Sequence, residues 1–362
     1  MKNVQPFKEP IFITRPLLPP LESVNKKIKE IWESKWLTNM GIQHQMLELE
    51  LKKILHVPYL TLFCNGTIAL QLAFQALKLK GEVITTPFTF AATVNALHQN
   101  NLKPIYCDIK FDDFNVNPET IEELVTSKTS AILPVHVFGN PCNVKQISKI
   151  AEDYNLKVIY DAAHCFGVEY KNKAIGNYGD ISMFSFHATK IFHTIEGGAL
   201  TYNNSELTEP LNLLKNFGIK NEEEIILPGT NAKMNEFQAA IGLLNLNLVE
   251  MEIEKRKILS STYRENLKNI EGVRYLDEKK DVKHNYQYFP ILIDEKKLKF
   301  SRDDVYELLK KYNIFSRKYF YPLCTDYFFP MKKEEYKIPN ARKIVNQVLC
   351  LPLYGELHKE DV

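Results

Sequence analysis

The chain has 362 residues, 45% of them hydrophobic and 25% charged, which suits a large folded domain beside a smaller one and excludes a disordered polymer. Lys and Arg number 46 against 44 Asp and Glu, so a net charge of +2 excludes a global field that would draw the protein to nucleic acid or an anionic membrane; an anionic ligand must be held by local groups. The six cysteines (Cys64, Cys107, Cys142, Cys165, Cys324 and Cys350) lack CxxC or Cys/His ligand spacing, which predicts reduced cytoplasmic thiols and no metal site.

The opening MKNVQPFKEP lacks the apolar core of a signal peptide, and no run of about 18 apolar residues occurs, so the sequence reads as neither secreted nor membrane-spanning. Val24, Ile28, Ile31 and Trp32, then Met46, Leu49 and Leu51, recur at helical spacing, with LTNMG (37–41) predicted as a loop between two helices.

From 57 to 202 short apolar runs alternate with amphipathic stretches: YLTLF with IALQLAFQAL, EVITTP with AATVNALHQ, KPIYCD with ETIEELV, SAILPVHVF with VKQISKIAEDY, then KVIYDAA. This alternation predicts an α/β fold, a mostly parallel sheet covered by helices. DISMFSF and GGALTY are predicted as further strands, and 235–259 as one long helix leading away from the sheet. The domain change falls inside that helix. Residues 1–248 are expected to form the large domain, with an N-terminal substrate-contacting segment, and 249–362, with the strand YQYFPILI and the helix SRDDVYELLKKY, a smaller α+β domain.

In such sheets ligands bind beyond the carboxyl ends of the strands, here CNGT, PFTF, DIKFDD, HVFGN and DAAH. Gly66 and Thr67 stand where a strand turns into a helix whose free amides can hold a phosphate, although Gly-Thr also opens ordinary helices. Asp161 follows KVIY, four residues expected to be buried in the sheet, and faces the crevice or caps a loop; in the crevice its carboxylate can keep a pyridine nitrogen protonated. His164 can orient that acid or contact a ring, or simply pack.

Lys190 lies between two apolar strands near Gly197 and Gly198, an unusual place for a solvated lysine, and a lysine with a depressed pKa there can join an aldehyde as a Schiff base and then shuttle protons. A single such lysine is ordinarily a surface side chain; its companions along the sheet change that reading. Phe88 and Phe90 are candidates to stack on a ring, with plain core preferred for Phe88, and Ser185 can donate to a phosphate.

CNGTIAL, PFTFAATVNAL, DAAHCFG, SFHATKIFHTIEGGAL and GTNAKMNEFQAAIG, framed by LTNMG and LPLYGEL, resemble the successive signature segments of the DegT/DnrJ/EryC1/StrS sugar aminotransferases over nearly the whole chain. The resemblance implies the aspartate aminotransferase fold (PLP-dependent transferase fold type I), pyridoxal 5′-phosphate (PLP) as cofactor, a homodimer with active sites at the subunit interface, and L-glutamate as amino donor. It also implies a nucleotide-linked keto-sugar as acceptor, in deoxysugar synthesis for surface polysaccharide such as O-antigen. By position, Lys190 matches the Schiff-base lysine, Asp161 the partner of the pyridine nitrogen, His164 the residue beside the ring and Phe90 the stacked aromatic. Gly66, Thr67 and Ser185 match the phosphate cup, and Asn231 an asparagine that reaches the phosphate from the neighbouring subunit. His187 and Tyr321 are added as candidates for contact with substrate.

A branch of that family with histidine in place of the lysine carries out dehydration, so Lys190 favours transamination. His187-Ala188, where C3-aminating members carry Tyr-Pro, favours amination at C4 of dTDP-4-dehydro-6-deoxy-D-glucose to dTDP-4-amino-4,6-dideoxy-D-glucose. The alternatives within the family are a C3-aminotransferase or a UDP-sugar 4-aminotransferase. Outside it, a nicotinamide-dependent sugar oxidoreductase is disfavoured because no GxGxxG follows the first strand, and a non-catalytic binding module because Lys190, Asp161 and His164 are all present. The sequence stops at LHKEDV, where relatives continue with more C-terminal helix, which bears on packing of the small domain and not on the catalytic residues.

Overall fold

The computed structural model describes residues 5–327 and 336–362. Its centre is a seven-stranded sheet. In chain order the strands are β1 (Tyr59–Phe63), β2 (Glu82–Thr85), β3 (Lys103–Tyr106), β4 (Thr129–Leu133), β5 (Lys157–Asp161), β6 (Ile181–Ser185) and β7 (Gly198–Tyr202). They lie side by side as β1-β7-β6-β5-β4-β2-β3. Strand β7 is antiparallel to both β1 and β6, and the remaining pairs are parallel. The expected mostly parallel α/β sheet is therefore present.

The helices are α1 (Leu21–Ser34), α2 (Ile42–Ile54), α3 (Gly66–Ala76), α4 (Ala91–Gln99), α5 (Val144–Asp153), α6 (Thr208–Leu214), α7 (Glu236–Leu246), α8 (Val249–Leu267), α9 (Glu295–Leu298), α10 (Arg302–Lys311) and α11 (Pro339–Val345). Helix α5 shows how sequence spacing sets packing: Val144, Ile147, Ile150 and Ala151 fall on one face and are buried, while its lysines and acids face outward. LTNMG is indeed the break between α1 and α2. Lys35, at a φ of 57°, ends the first helix and Gly41 opens the second.

Three expectations change. The long helix of 235–259 is two helices, α7 and α8, broken at Asn247 and Leu248; a capping box between Asn235 and Gln238 fixes the start of the first. ETIEELV forms two short 3-10 turns, Pro118–Thr120 and Glu122–Leu124, too brief a stretch to sustain an α-helix. The apolar run SAILPVHVF stops being a strand at Leu133, before Pro134, and Val137–Gly139 is a 3-10 turn in which Phe138 adopts a φ of 57°.

Beyond α8 a three-stranded antiparallel sheet pairs Val273–Tyr275 and Val348–Leu351 with the central strand Phe289–Ile293. Residues 286–288 of the predicted strand YQYFPILI precede its regular part. The N-terminal segment reaches this region as well, Ile11–Phe12 pairing in parallel with Ile314–Phe315. One core is continuous from Leu47 and Phe184 to Phe289 and Leu351. All six cysteines are unpaired, and no helix among the described residues is long and apolar enough to cross a membrane.

Candidate active site

The C-terminal edges of β1, β5 and β6, together with the start of the reversed strand β7, bring most of the predicted residues to one edge of the sheet. In the register, Gly198 lies opposite both Phe63 and Ser185, and Asp161 lies beside Met183. Ser185 is thus two residues, about 7 Å, beyond the level of Asp161 on the adjacent strand.

Helix α3 begins at Gly66, its N-cap Asn65 accepting a hydrogen bond from Ile68 N–H at 2.9 Å. The backbone here is packed without room for a side chain. A Cβ on Gly66 would meet Met183 Sδ at 3.1 Å and Ser185 Cβ at 3.2 Å, and one on Gly198 would lie 2.6 Å from Gly66 N. The result is a wall of bare amides at a helix N-terminus, which attracts an anion. The hydroxyls of Thr67 and Ser185 have no hydrogen-bond partner among the described residues.

Asp161 closes β5 and is buried. Thr93 Oγ1 donates to its Oδ2 at 2.7 Å, and Ala163 N–H to its Oδ1 at 3.1 Å. Burial raises its pKa above the usual carboxylate value, partly offset by those two bonds and by the charge of Lys190. His164 is held on one side by Phe138 N–H, which donates to Nδ1 at 3.2 Å; the left-handed backbone of Phe138 aims that amide. Nδ1 is therefore an acceptor, Nε2 carries the hydrogen, and burial keeps the ring neutral, its pKa well below the ordinary histidine value. The imidazole lies nearly parallel to the Phe320 ring, 4° between planes, and edge-on to Tyr288 at 5.0 Å.

Lys190 stands in the loop between β6 and β7, its N–H bonded to His187 C=O at 2.8 Å. Its Nζ lies 5.8 Å from the Tyr288 ring centroid and makes no hydrogen bond among the described residues. Desolvation lowers its pKa to about 8, with the Asp161 charge acting in the opposite sense. Asp161 and His164 each feel the charge of Lys190, and Lys190 that of Asp161, so the structure brings the other two around the lysine. A lysine of lowered pKa near a buried carboxylate suits reversible bonding to a carbonyl and proton transfer.

Phe90 is the N-cap of α4 and exposed, while Phe88 is fully buried against Phe114, Phe138 and Phe320, which is the core role preferred for it. Phe90 and Tyr321 line one 250 Å³ cavity with Arg317, Lys318 and Tyr319. Tyr321 is exposed there, with Arg302 5.0 Å from its ring centroid. His187 is also exposed, but its ring is engaged: Nδ1 accepts from Thr189 N–H at 3.2 Å and Nε2 lies 3.5 Å from Glu196. Asn231 sits on the loop before α7, exposed, and among the described residues no hydrogen bond or ring contact joins it to Lys190, Asp161 or His164 within the one chain.

Sequence reasoning missed Thr93, Tyr288, Phe320 and Phe138. Thr93 carried a signal, a hydroxyl in the first turn of α4 directly after PFTF. Tyr288 was hidden inside a run read as strand, and Phe320 reaches the site from far along the chain.

The sequence matches the DegT/DnrJ/EryC1/StrS aminotransferase family over residues 21–362. It is 46% identical over 355 residues to a dTDP-4-amino-4,6-dideoxy-D-glucose transaminase of Shigella dysenteriae, covering 98% of this chain and 96% of that one. Among solved structures it is similar to DesI, crystallised in the presence of its TDP-sugar product, with a TM-score of 0.95, 33% identity and coverage of 99% of this chain and 91% of that one. It is similar also to NtdA of Bacillus subtilis with the cofactor PMP bound, with a TM-score of 0.86, 30% identity and coverage of 94% and 79%. With a family match over 342 residues and a shared fold, the chain belongs to the DegT/DnrJ/EryC1/StrS aminotransferase family.

Proposed function

We propose that this chain is a PLP-dependent enzyme that transfers the amino group of L-glutamate to C4 of dTDP-4-dehydro-6-deoxy-D-glucose, forming dTDP-4-amino-4,6-dideoxy-D-glucose. The observation that carries the reading is the near-full-length 46% identity to the Shigella transaminase, joined to a lysine of lowered pKa facing a buried carboxylate.

The residues fit PLP. Its phosphate suits the bare amides of Gly66 and Thr67 and the unpaired hydroxyls of Thr67 and Ser185, and its pyridine nitrogen suits Asp161, the one acid of the trio. When bound, PLP supplies an aldehyde to Lys190 and an electron-poor ring that stabilises negative charge at the α-carbon of the amino donor. Asp161 keeps the proton on the ring nitrogen. Lys190 Nζ would remove the α-proton of glutamate and return it to the cofactor carbon on the far side of the amino nitrogen, then run the same transfer in reverse with the keto-sugar. His164 presents Nε2–H without adding charge, and Phe90 offers an exposed aromatic face for the cofactor ring.

The nucleotide-sugar is assigned to the aromatic, cationic cavity at Phe90 and Tyr321, with exposed His187 as a further candidate contact. The working unit is a homodimer in which Asn231 of the second subunit reaches the phosphate. Trp32, Trp36, Leu37, Ile42, Met46 and Leu49, exposed along and between α1 and α2, support burial against a second copy. The large domain is assigned to 1–248 and the small one to 249–362, since the seven-stranded sheet lies wholly in the first and the three-stranded sheet centred on Phe289–Ile293 wholly in the second, while a second small sheet pairs Val282–Lys283 with Glu169–Tyr170 across the boundary. Unpaired thiols suit the cytoplasm.

The test is to load the purified protein with PLP and follow its visible absorbance through addition of glutamate and then of the keto-sugar. Glutamate is expected to bleach the lysine-linked band and the sugar to restore it. Bleaching without restoration rejects this acceptor; no visible band on loading rejects the cofactor.

A further inference from the structure

A buried polar segment just before the strand Phe289–Ile293 grips the backbone on both sides of Lys190. The Gln287 side chain, 1% exposed, accepts from Ile191 N–H at 2.8 Å and donates through Nε2 to Thr189 C=O at 3.1 Å. These are the two neighbours of the lysine. The pairing fixes the amide's orientation, because one backbone partner only donates and the other only accepts.

The same segment reaches the second member of the trio. Asn285, fully buried, donates to His164 C=O at 2.8 Å and to Phe166 C=O at 2.9 Å, and its own Oδ1 accepts from Gln287 N–H at 3.1 Å. Tyr288 follows and faces both Lys190 and His164. The segment is anchored from behind by Arg256, which donates to Gln287 C=O at 3.4 Å and to Glu252 at 2.6 Å; Glu252 also accepts from Gly355 N–H. Lys190 itself has no hydrogen bond at Nζ among the described residues, so its placement there comes from its backbone and the walls around it.

We propose that Gln287 is a positioning residue for Lys190, clamping Thr189 and Ile191 so that Nζ moves between its two proton-transfer points on side-chain rotations alone. The inference rests on the proposed function, in which Lys190 carries the proton. Its physical basis is that proton transfer requires near-attack geometry, and a shift of about 1 Å in a catalytic group costs about a hundredfold in rate. An undirected buried glutamine would be a liability; two backbone partners on either side of one lysine give it a purpose.

The test uses the full-length, PLP-loaded enzyme and two variants, Gln287→Met and Gln287→Glu. Gln287→Met keeps the volume and loses both bonds. It is expected to retain cofactor, to lower the single-turnover rate with glutamate about a hundredfold, and to show a larger kinetic isotope effect with α-deuterated glutamate, with KM changed far less than kcat. Gln287→Glu keeps the acceptor for Ile191 and sets a carboxylate against Thr189 C=O. Only its protonated form restores the second bond, so its rate relative to wild type is expected to recover as pH falls.

A Gln287→Met enzyme with wild-type rate and isotope effect overturns the proposal. So does a Gln287→Glu enzyme whose pH profile parallels wild type, and that arm decides the matter if the methionine variant does not fold. A wild-type protein that forms no lysine-linked band rejects instead the reading on which the clamp rests.

Discussion

Thr93 Oγ1 donates to Asp161 Oδ2 at 2.7 Å, and the same oxygen lies 2.9 Å from Thr89 Oγ1. A hydroxyl has one hydrogen, and that of Thr93 is committed to the carboxylate; the Thr89 hydroxyl must therefore donate to Thr93. The two threonines form a relay that stabilises the ionised form of Asp161 against burial. Thr93→Val removes the bond with little change of shape. Hydrogen bonds to charged groups contribute about 1.5–3 kcal/mol, so the expected outcome is at least a tenfold weaker hold on PLP and a slower glutamate half-reaction. Thr93→Ser should retain both, as measured by cofactor loss on dialysis and by stopped-flow absorbance.

Lys190→Ala separates bonding from binding. The amides at Gly66 and Thr67 and the carboxylate of Asp161 remain, so PLP is expected to stay bound without a covalent link. Turnover is expected to fall below detection. Borohydride treatment followed by peptide mapping checks this: the wild-type peptide containing Lys190 should gain the cofactor's mass and the variant should carry none.

The pH dependence follows from the same lysine. Burial lowers the Lys190 pKa to about 8, so its neutral, nucleophilic form grows as pH rises through about 8 and levels off above it. The rate of PLP attachment should follow that curve. The charge of Asp161 works against the shift, and Asp161→Asn should move the midpoint to lower pH. The linkage has a definite sign in the cofactor-free protein. A lowered folded pKa means the unfolded chain binds more protons between about 8 and 10.5, so this group adds stability as pH rises across that window and withdraws it as pH falls.

Gly198 tests the anion cradle. A Cβ there would lie 2.6 Å from Gly66 N and 2.7 Å from Asn65 C, backbone atoms at the start of α3 that cannot rotate aside. Gly198→Ala should cost about 1–3 kcal/mol of stability through overpacking and should weaken PLP retention by shifting the helix N-terminus. A thermal melt with and without PLP reads both. Loss of stability with unchanged cofactor affinity would detach the cradle from phosphate binding.

The sheet was legible because its runs are short, apolar and separated by helix-length amphipathic stretches; KVIYDAA alone marks a buried strand ending in an acid. Asp161 was legible because charge at the end of a buried run is rare, and Lys190 because it stands between two apolar strands with companions along the same sheet. The rest of the site was not, for reasons of distance and of polarity. Phe320 joins His164 from 156 residues away in sequence, and nothing local in its neighbourhood marks the contact. Gln287 and Asn285 lie in a run that alternates like a strand, yet they turn inward to bond other loops, a pattern that periodicity assigns to solvent. The break between α7 and α8 was invisible because NLNLVEM keeps helical spacing across it.

The shared site makes a prediction that one chain alone cannot satisfy. Asn231 is exposed and its side chain has no hydrogen-bond partner among the described residues, while Lys190 lies in the cleft of the same chain. If Asn231 completes the phosphate site of a second subunit, Asn231→Ala and Lys190→Ala each disable every site of their own homodimers. In a mixed dimer the two lesions fall together in one site and leave the other intact. Random exchange of equal amounts gives half mixed dimers with one working site of two, so about a quarter of wild-type activity should return. The check is to mix the purified variants, allow subunits to exchange, and assay product from glutamate and the keto-sugar. Recovery near that fraction places Asn231 and Lys190 of one site on different chains; no recovery after exchange has been verified by mass spectrometry places them on the same one.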